Sequence, residues 1–412
     1  MKVAFHTLGC KVNQYESEAL AKKYRDAGHE IVGERDFADV YVINTCTVTG
    51  IADRKSRQYI RRMKKVNPDA EIIVTGCYAA ISPDEVSAIE GIDRIMTMEE
   101  KRNAVSEVSP VASTEGRTRA YIKVQEGCNR FCSYCVIPYA RGPVISRPVE
   151  EIVEEAKALI DSGYKEIVLT GINTALYDGG IEPVIAAVNE LPGEFRIRLS
   201  SLEPTVVNAE YVKKLFNYNK LCHHLHMSAQ SGSDSILASM NRHYTSEDYI
   251  ELAKTVCSFD PCYGLSTDII VGFPGERDED FRDTCRLVAR CAFCKTHIFR
   301  YSKRPLTKAA EMDGQISPGI KDKRASELQS IANRSAKAFF DMNLEQAMRG
   351  RTERVLIEEK TPDGKYMTGY SGNYIKTYIP VGKGVDESLI NTFVETKFTG
   401  IYNEGMTAEL LK

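Results

Sequence analysis

A strand-then-helix pattern recurs about six times between residues 120 and 345, and few architectures accept it. Alternating β and α units with short links build parallel sheets, and six such units suit a partial or open (β/α)6 barrel. The strand candidates are residues 121–124, 166–169, 197–200, 223–227, 265–271 and 297–301, with helices such as 149–162 and 279–290 between them. A long helical stretch at 321–348 closes the region. Residues 1–98 read as strand, helix, strand, helix, strand, with strands at 3–8, 40–45 and 72–75 and helices at 15–27 and 52–66. That pattern predicts a Rossmann-like parallel-sheet domain. The polar, Ser/Glu/Arg-rich run 99–119 reads as a linker. After Arg349 come five short strands, 352–358, 365–370, 374–379, 392–399 and 406–410, separated by turn signals such as Pro362-Asp363-Gly364. They predict a small β-barrel. The chain is thus expected to be of α/β class, with two α/β domains at 1–105 and 114–345 and the β-barrel at 348–412.

The chemistry concentrates in cysteine. Cys128, Cys132 and Cys135 form a C-x3-C-x2-C triplet in the loop after the first barrel strand, where the C-terminal face of an α/β barrel carries its active site. Three thiolates can hold three irons of a [4Fe–4S] cluster and leave the fourth open to a ligand, whereas closed electron carriers use four. A zinc knuckle would want a fourth ligand nearby, and the next cysteine is Cys222. Cys10, Cys46 and Cys77 are dispersed, and singly each could be a buried thiol. Each nevertheless lies one or two residues past a predicted strand, in Leu8-Gly9-Cys10, Asn44-Thr45-Cys46 and Thr75-Gly76-Cys77. Loops at the carboxyl ends of a parallel sheet converge on one crevice. Cys222, Cys257, Cys262, Cys285, Cys291 and Cys294 read as buried thiols, although Cys291 and Cys294 have the spacing of a redox pair.

Twelve cysteines in 412 residues, with no leader-like N-terminus, argue for metal or catalytic use in the cytoplasm rather than a disulfide framework. No apolar run approaches the ~20 residues of a membrane span. The net charge of −3 gives no bulk support for nucleic-acid binding. A local basic run does: Arg54, Lys55, Arg57, Arg61, Arg62, Lys64 and Lys65 share one predicted helix with a single acid, Asp53. Such a stripe is a solvated helix face or a phosphate-binding tract, and its place after Cys46 favours RNA approach. From Arg349 to Lys412 nine Lys/Arg balance nine Asp/Glu, so that segment is not basic overall.

These residues resemble the methylthiotransferases, radical S-adenosylmethionine (SAM) enzymes that insert sulfur and a methyl group at an unactivated C–H bond. The likeness runs through Leu8-Gly9-Cys10-Lys11-Val12-Asn13-Gln14, Asn44-Thr45-Cys46-Thr47, Thr75-Gly76-Cys77-Tyr78, the Cys128–Cys135 loop, Ile137-Pro138-Tyr139-Ala140-Arg141-Gly142, Ser200-Ser201-Leu202-Glu203-Pro204, Gln230-Ser231-Gly232-Ser233 and Asp268-Ile269-Ile270-Val271-Gly272-Phe273-Pro274-Gly275. It implies an N-terminal methylthiotransferase domain, a radical SAM barrel and a C-terminal TRAM β-barrel. It implies two [4Fe–4S] clusters: Cys128, Cys132 and Cys135 would hold the one that binds and cleaves SAM, and Cys10, Cys46 and Cys77 the auxiliary one that presents sulfur. Tyr134, Thr170, Gly171, Asn173, Glu203 and Gln230 are the further candidates for contact with SAM. Family members commonly carry Tyr-Ser-x-Arg-x-Gly-Thr-x-Ala, whereas here Tyr301-Ser302-Lys303-Arg304-Pro305-Leu306-Thr307 puts Leu306 at the usual glycine, which questions the shape of that loop.

The residues after Cys10 look like the branch acting on N6-threonylcarbamoyladenosine beside the tRNA anticodon. The isopentenyladenosine branch, which more often has Gln-Met there, ranks second and the ribosomal-protein branch third. Implied partners are the tRNA anticodon stem-loop, an electron donor such as flavodoxin or ferredoxin, and a sulfur donor. A non-catalytic iron–sulfur protein that binds RNA or carries electrons is the reading from another class.

Overall fold

The computed structural model describes residues 1–108, 118–382 and 384–411. Its N-terminal sheet contains β1 (Lys2–Thr7), β2 (Glu30–Val32), β3 (Val40–Thr45), β4 (Glu71–Gly76) and β5 (Arg94–Ile95), all parallel, in the order β2-β1-β3-β4-β5. Every residue of β3 is buried, because helices cover both faces. Ile43 and Val74 pack on Ile60 and Met63 of α2 (Gly50–Val66). On the other face Val42 and Ile73 meet Leu20 of α1 (Lys11–Asp26) and Val105. The Thr49 hydroxyl accepts from the Ala52 N–H and starts α2, supplying one of the bonds a helix N-terminus lacks. α1 begins at Lys11, ahead of the expected residue 15, so Cys10 is its N-cap.

α3 (Cys77–Ile81) and α4 (Pro83–Ser87) follow β4. The stretch read as a linker opens instead on α5 (Met98–Ser106). Thr97 and Glu100 form a reciprocal capping box, and Lys101 and Val105 are buried, so a polar composition conceals an amphipathic helix. Residues 109–117, with the expected boundary at 114, lie outside the described residues. The strands β2 and β5 are three and two residues long, too short for periodicity to reveal.

The central region contains two four-stranded sheets. β6 (Arg119–Glu126), β7 (Ile145–Ser146), β8 (Glu166–Gly171) and β9 (Arg196–Leu199) run in the order β7-β6-β8-β9. β10 (Ser201–Leu202), β11 (His224–Met227), β12 (Gly264–Val271) and β13 (Lys295–Arg300) run in chain order. All pairings except β6 with β7 are parallel. A bridge between Ile197 and Leu221 links the sheets, and one hydrophobic core, from Ile122 and Ile152 to Leu265 and Val288, runs through both. The helix Pro318–Met348 serves two cores: Leu328 and Ala332 pack into this one, Phe339, Phe340 and Ala347 into the next.

The last five strands are β14 (Glu353–Lys360), β15 (Tyr366–Ser371), β16 (Lys376–Pro380), β17 (Phe393–Tyr402) and β18 (Gly405–Leu410). They pair in the ring β14-β15-β16-β18-β17, with β14 returning to β17. The ring docks at the amino ends of β8 and β9. There Glu166 binds Arg196 and Arg198, whose guanidiniums also donate to the carbonyls of Tyr370, Ser371 and Gly372 at 3.0, 3.2 and 3.1 Å. The ring therefore does not cover the carboxyl ends of the central strands. Among the described residues no helix is long and apolar enough to cross a membrane.

Candidate functional site

β1, β3 and β4 are neighbours in the sheet, and Cys10, Cys46 and Cys77 follow their carboxyl ends. Cys10 is exposed, Cys46 and Cys77 are buried. The charges of Cys10 and Cys77 both act on the Cys46 thiol, which burial pushes up to about 11. Gly9 has φ +106°, and a Cβ there would stand 2.9 Å from the Cys46 sulfur, so only glycine gives the chain this close approach. Asn13 Nδ2 donates to the Leu8 carbonyl at 2.7 Å and the Thr45 carbonyl at 3.0 Å, tying two of the cysteine loops together.

Cys128, Cys132 and Cys135 follow β6. A Cβ on Gly127 would lie 1.8 Å from the Pro143 carbonyl oxygen, and the Cys128 N–H donates to the Gly142 carbonyl at 3.2 Å. The loop is thus seated on the residues after α6 (Ile137–Arg141). Burial pushes the Cys135 thiol up to about 12, with Cys132 and Cys128 acting in the same direction. Such thiols remain protonated until a metal displaces the proton.

The donor set fits a cluster better than a single ion. Four thiolates around one zinc at about 2.3 Å would lie about 3.8 Å apart. Neither trio has all its sulfurs within 4.8 Å of one another; among the described residues only His226, Asp268 and His297 make so tight a group. That group is internally hydrogen-bonded: His226 bridges Ser266 and Asp268, and Ser228 donates to Asp268 at 2.8 Å.

A cavity of about 170 Å³ lies between the two cysteine loops. Val48 and Thr49, just past Cys46, line one side, and Tyr134, Cys135 and Ile137 another. Gln230, Asp268, Phe299 and Arg304 complete it. Ser302 accepts from the Gly50 N–H at 3.1 Å, and Arg304 Nη2 donates to Thr47 at 2.6 Å and Asp53 at 2.5 Å. These bonds anchor the loop after Cys46 to the end of β13. Leu306 has φ +66°, so the loop keeps the left-handed backbone that a glycine adopts freely.

The six further candidates divide. Tyr134 and Gln230 line the cavity beside Cys135. Asn173 Nδ2 and Arg130 Nε both donate to Glu203, at 3.0 and 2.7 Å, which ties the Cys128 loop to the end of β8. Thr170 is buried near the end of β8, and Gly171 lies where a Cβ would meet Gln125 Oε1 at 2.9 Å. Sequence reasoning missed Arg242, whose Nη1 lies 3.6 Å from the Cys132 sulfur, and Arg130. Arg242 falls in no quoted motif, and Arg130 stood inside the Cys128–Cys135 loop without a role. Arg141 and Asn13 stood inside the quoted motifs, without a role.

The family model described as "Radical SAM superfamily" matches residues 122–288, and "Uncharacterized protein family UPF0004" matches residues 2–97. Threonylcarbamoyladenosine tRNA methylthiotransferase MtaB of Bacillus subtilis (strain 168) is 38% identical, covering 100% of this chain and 97% of the relative. The protein of that name from Aquifex aeolicus is 38% identical over 87% of this chain and 93% of its own. A tRNA-2-methylthio-N(6)-dimethylallyladenosine synthase of Clostridium botulinum (strain Loch Maree / Type A3) is 33% identical over 93% of each. Among solved structures, the radical SAM methyltransferase TsrM of Kitasatospora setae superposes with a TM-score of 0.57 at 16% identity, covering 75% of this chain and 77% of that one, a likeness of fold.

Proposed function

This chain belongs to the radical SAM tRNA methylthiotransferases, close to the MtaB type, and we propose that its cavity is where the modified base meets both cysteine loops. The enzyme inserts sulfur and a methyl group at C2 of N6-threonylcarbamoyladenosine in tRNA. The observation that carries the site is one cavity touching Cys135 on one side and the loop after Cys46 on the other. Cys128, Cys132 and Cys135 would hold the SAM-binding [4Fe–4S] cluster, and Cys10, Cys46 and Cys77 a second one. When bound, these groups and SAM would supply the hydrogen-abstracting radical, the sulfur and the methyl, the electron coming through the cluster from an external donor.

The chain's own residues place and shield. Tyr134 and Phe299 offer ring faces on which an unstacked base can lie. Asn173 and Glu203 present polar groups toward SAM. Arg242 steadies Cys132, and Ser302 and Arg304 hold the loop after Cys46 at its distance from the barrel. We take the domains as 1–105, 114–345 and 348–412, with the five-stranded ring as a TRAM barrel; the separate core of the ring, which Phe339, Phe340 and Ala347 of the long helix join, supports a distinct C-terminal unit. The exposed cations of α2 take the anticodon stem-loop, while an external electron donor and a sulfur donor complete the cycle.

Anaerobic reconstitution tests this reading. About eight irons per chain are expected, with release of 5′-deoxyadenosine and 2-methylthio product from tRNA carrying N6-threonylcarbamoyladenosine. About four irons would remove the second cluster. Clusters without SAM cleavage would sink the enzymatic reading, and thiolation confined to isopentenyl-modified tRNA would overturn the substrate.

A further inference from the structure

Arg141 is among the most deeply buried side chains of the molecule, and its partners come from two domains. Its Nη1 lies 2.8 Å from Glu16 and 3.1 Å from Glu126, and its Nη2 donates to Asn13 Oδ1. Asn13 is the residue whose amide ties the Leu8 and Thr45 carbonyls. The guanidinium is thus one hydrogen-bonded residue away from the loops of Cys10 and Cys46, and Cys77 and Cys10 act on it when ionised. α6, which ends on Arg141, packs against α3, which begins on Cys77.

The surrounding charge is not balanced. Lys101 lies 2.6 Å from Glu16, Lys123 lies 3.4 Å from Glu16 and 3.0 Å from Glu126, and Arg102 lies 3.6 Å from Glu126. Three buried cations, Arg141, Lys101 and Lys123, therefore face two buried carboxylates, with the partly exposed Arg102 at the edge, while the neighbouring Arg147 is matched by Glu155 at 2.7 Å and Glu151 at 3.6 Å. Arg141 Nε is buried with no partner. A buried excess of positive charge is costly unless an anion offsets it. The cysteines of the N-terminal trio, once they are thiolates, can supply one. The adjacent peptide faces the other trio, because the Gly142 carbonyl accepts from the Cys128 N–H.

We propose that Arg141 is a positioning residue whose buried charge offsets the anionic Cys10–Cys46–Cys77 centre and raises its reduction potential, while the next residue, Gly142, seats the Cys128 loop through its carbonyl. This rests on the reading that the trio holds an iron–sulfur cluster. Net charge around a cluster is one of the factors that set its potential, so removing a nearby cation makes reduction harder. No proton movement on Arg141 is involved.

The test uses the full chain carrying Cys128→Ala, Cys132→Ala and Cys135→Ala, so that a single cluster reports, with its midpoint read by EPR-monitored redox titration. Arg141→Gln is expected to shift the midpoint to more negative potential, with Arg141→Lys shifting it less. Arg102→Gln removes a partly exposed cation at the edge of the network and is expected to give a smaller shift in the same direction, even if the Arg141 variants fold poorly. Midpoints equal to the parent in Arg102→Gln and in whichever Arg141 variants fold would overturn the proposal. A parent chain that binds no iron would instead overturn the cluster reading itself, and this inference with it.

Discussion

At the scale of single residues, the site depends on backbone conformations that side chains resist. Gly9 is held at φ +106° against the Cys46 sulfur, and the sequence signalled it, since a glycine directly precedes the cysteine. Leu306 occupies the same region of φ without a glycine's freedom, at +66°, and is largely exposed. An L residue held there costs about 1–2 kcal/mol, part of which a glycine would return in the unfolded chain as greater freedom to be lost. Leu306→Gly is therefore expected to stabilise the protein by about 0.5–1 kcal/mol, seen as a modest rise in melting temperature, with turnover near that of the parent because the loop shape is already the glycine-type one. A loss of stability would show that the Leu306 side chain has packing value. The departure from the family pattern was legible in the sequence, but its consequence was not, because φ is set by what Arg304 and Thr307 bind on either side. The Thr307 hydroxyl donates to the Arg304 carbonyl at 2.8 Å, and the Arg304 side chain reaches Asp53.

At the scale of elements, α2 combines two tasks. Its inner face, Tyr59, Ile60 and Met63, packs on the sheet. Of its seven cations, Arg57 is taken by Tyr78 and Glu85 and Lys64 by Asp93 and the Ala70 carbonyl. Arg54, Lys55, Arg61, Arg62 and Lys65 are exposed. The helix starts at Gly50, beside the cavity wall formed by Thr49, so an RNA whose base enters the cavity passes near it. Replacing Arg61, Arg62 and Lys65 together by Gln is expected to weaken tRNA binding roughly tenfold or more at 0.1 M salt. It should also flatten the dependence of log K on log salt by about 0.7–0.9 per lost contact, while SAM cleavage without tRNA is unchanged. Filter binding across a salt series checks this, and an unaltered slope would make the stripe a solvated face. The helix and its charge were readable because periodicity and composition agree over its 17 residues. α5 was not, because its signature is the Thr97–Glu100 capping box rather than an apolar stripe.

At the scale of the whole molecule, the C-terminal ring is fastened at the end of the barrel opposite the cysteine loops, through Glu166. Burial alone would raise this carboxyl; the guanidiniums of Arg196, Arg198 and Arg119 prevail and hold it well below the usual carboxylate range. Arg119 also binds Glu358 and lies over the Tyr370 ring at 4.5 Å, so the charge of one residue on β8 is felt in two domains. Partners so far apart, residue 166 with 196, 198 and 119 and onward to 358, share no sequence pattern, which is why the strands of the ring were readable and its docking was not. Glu166→Gln keeps the shape and removes the charge, leaving buried guanidiniums uncompensated at a cost of about 3–5 kcal/mol. Because the folded carboxyl ionises below its unfolded value of about 4.3, its contribution is complete above that pH and is lost as pH falls through the lower folded value. The stability gap between parent and Glu166→Gln is therefore expected to be constant from pH 8 down to about 4.5 and to narrow in more acidic solution. The chain has no Trp and 21 Tyr, so urea midpoints followed by tyrosine fluorescence report it. Faster tryptic cleavage of the variant at Arg349 and Arg351, between the long helix and the ring, would locate the weakness at this joint, while a gap that widened on acidification would place the stabilising charge elsewhere.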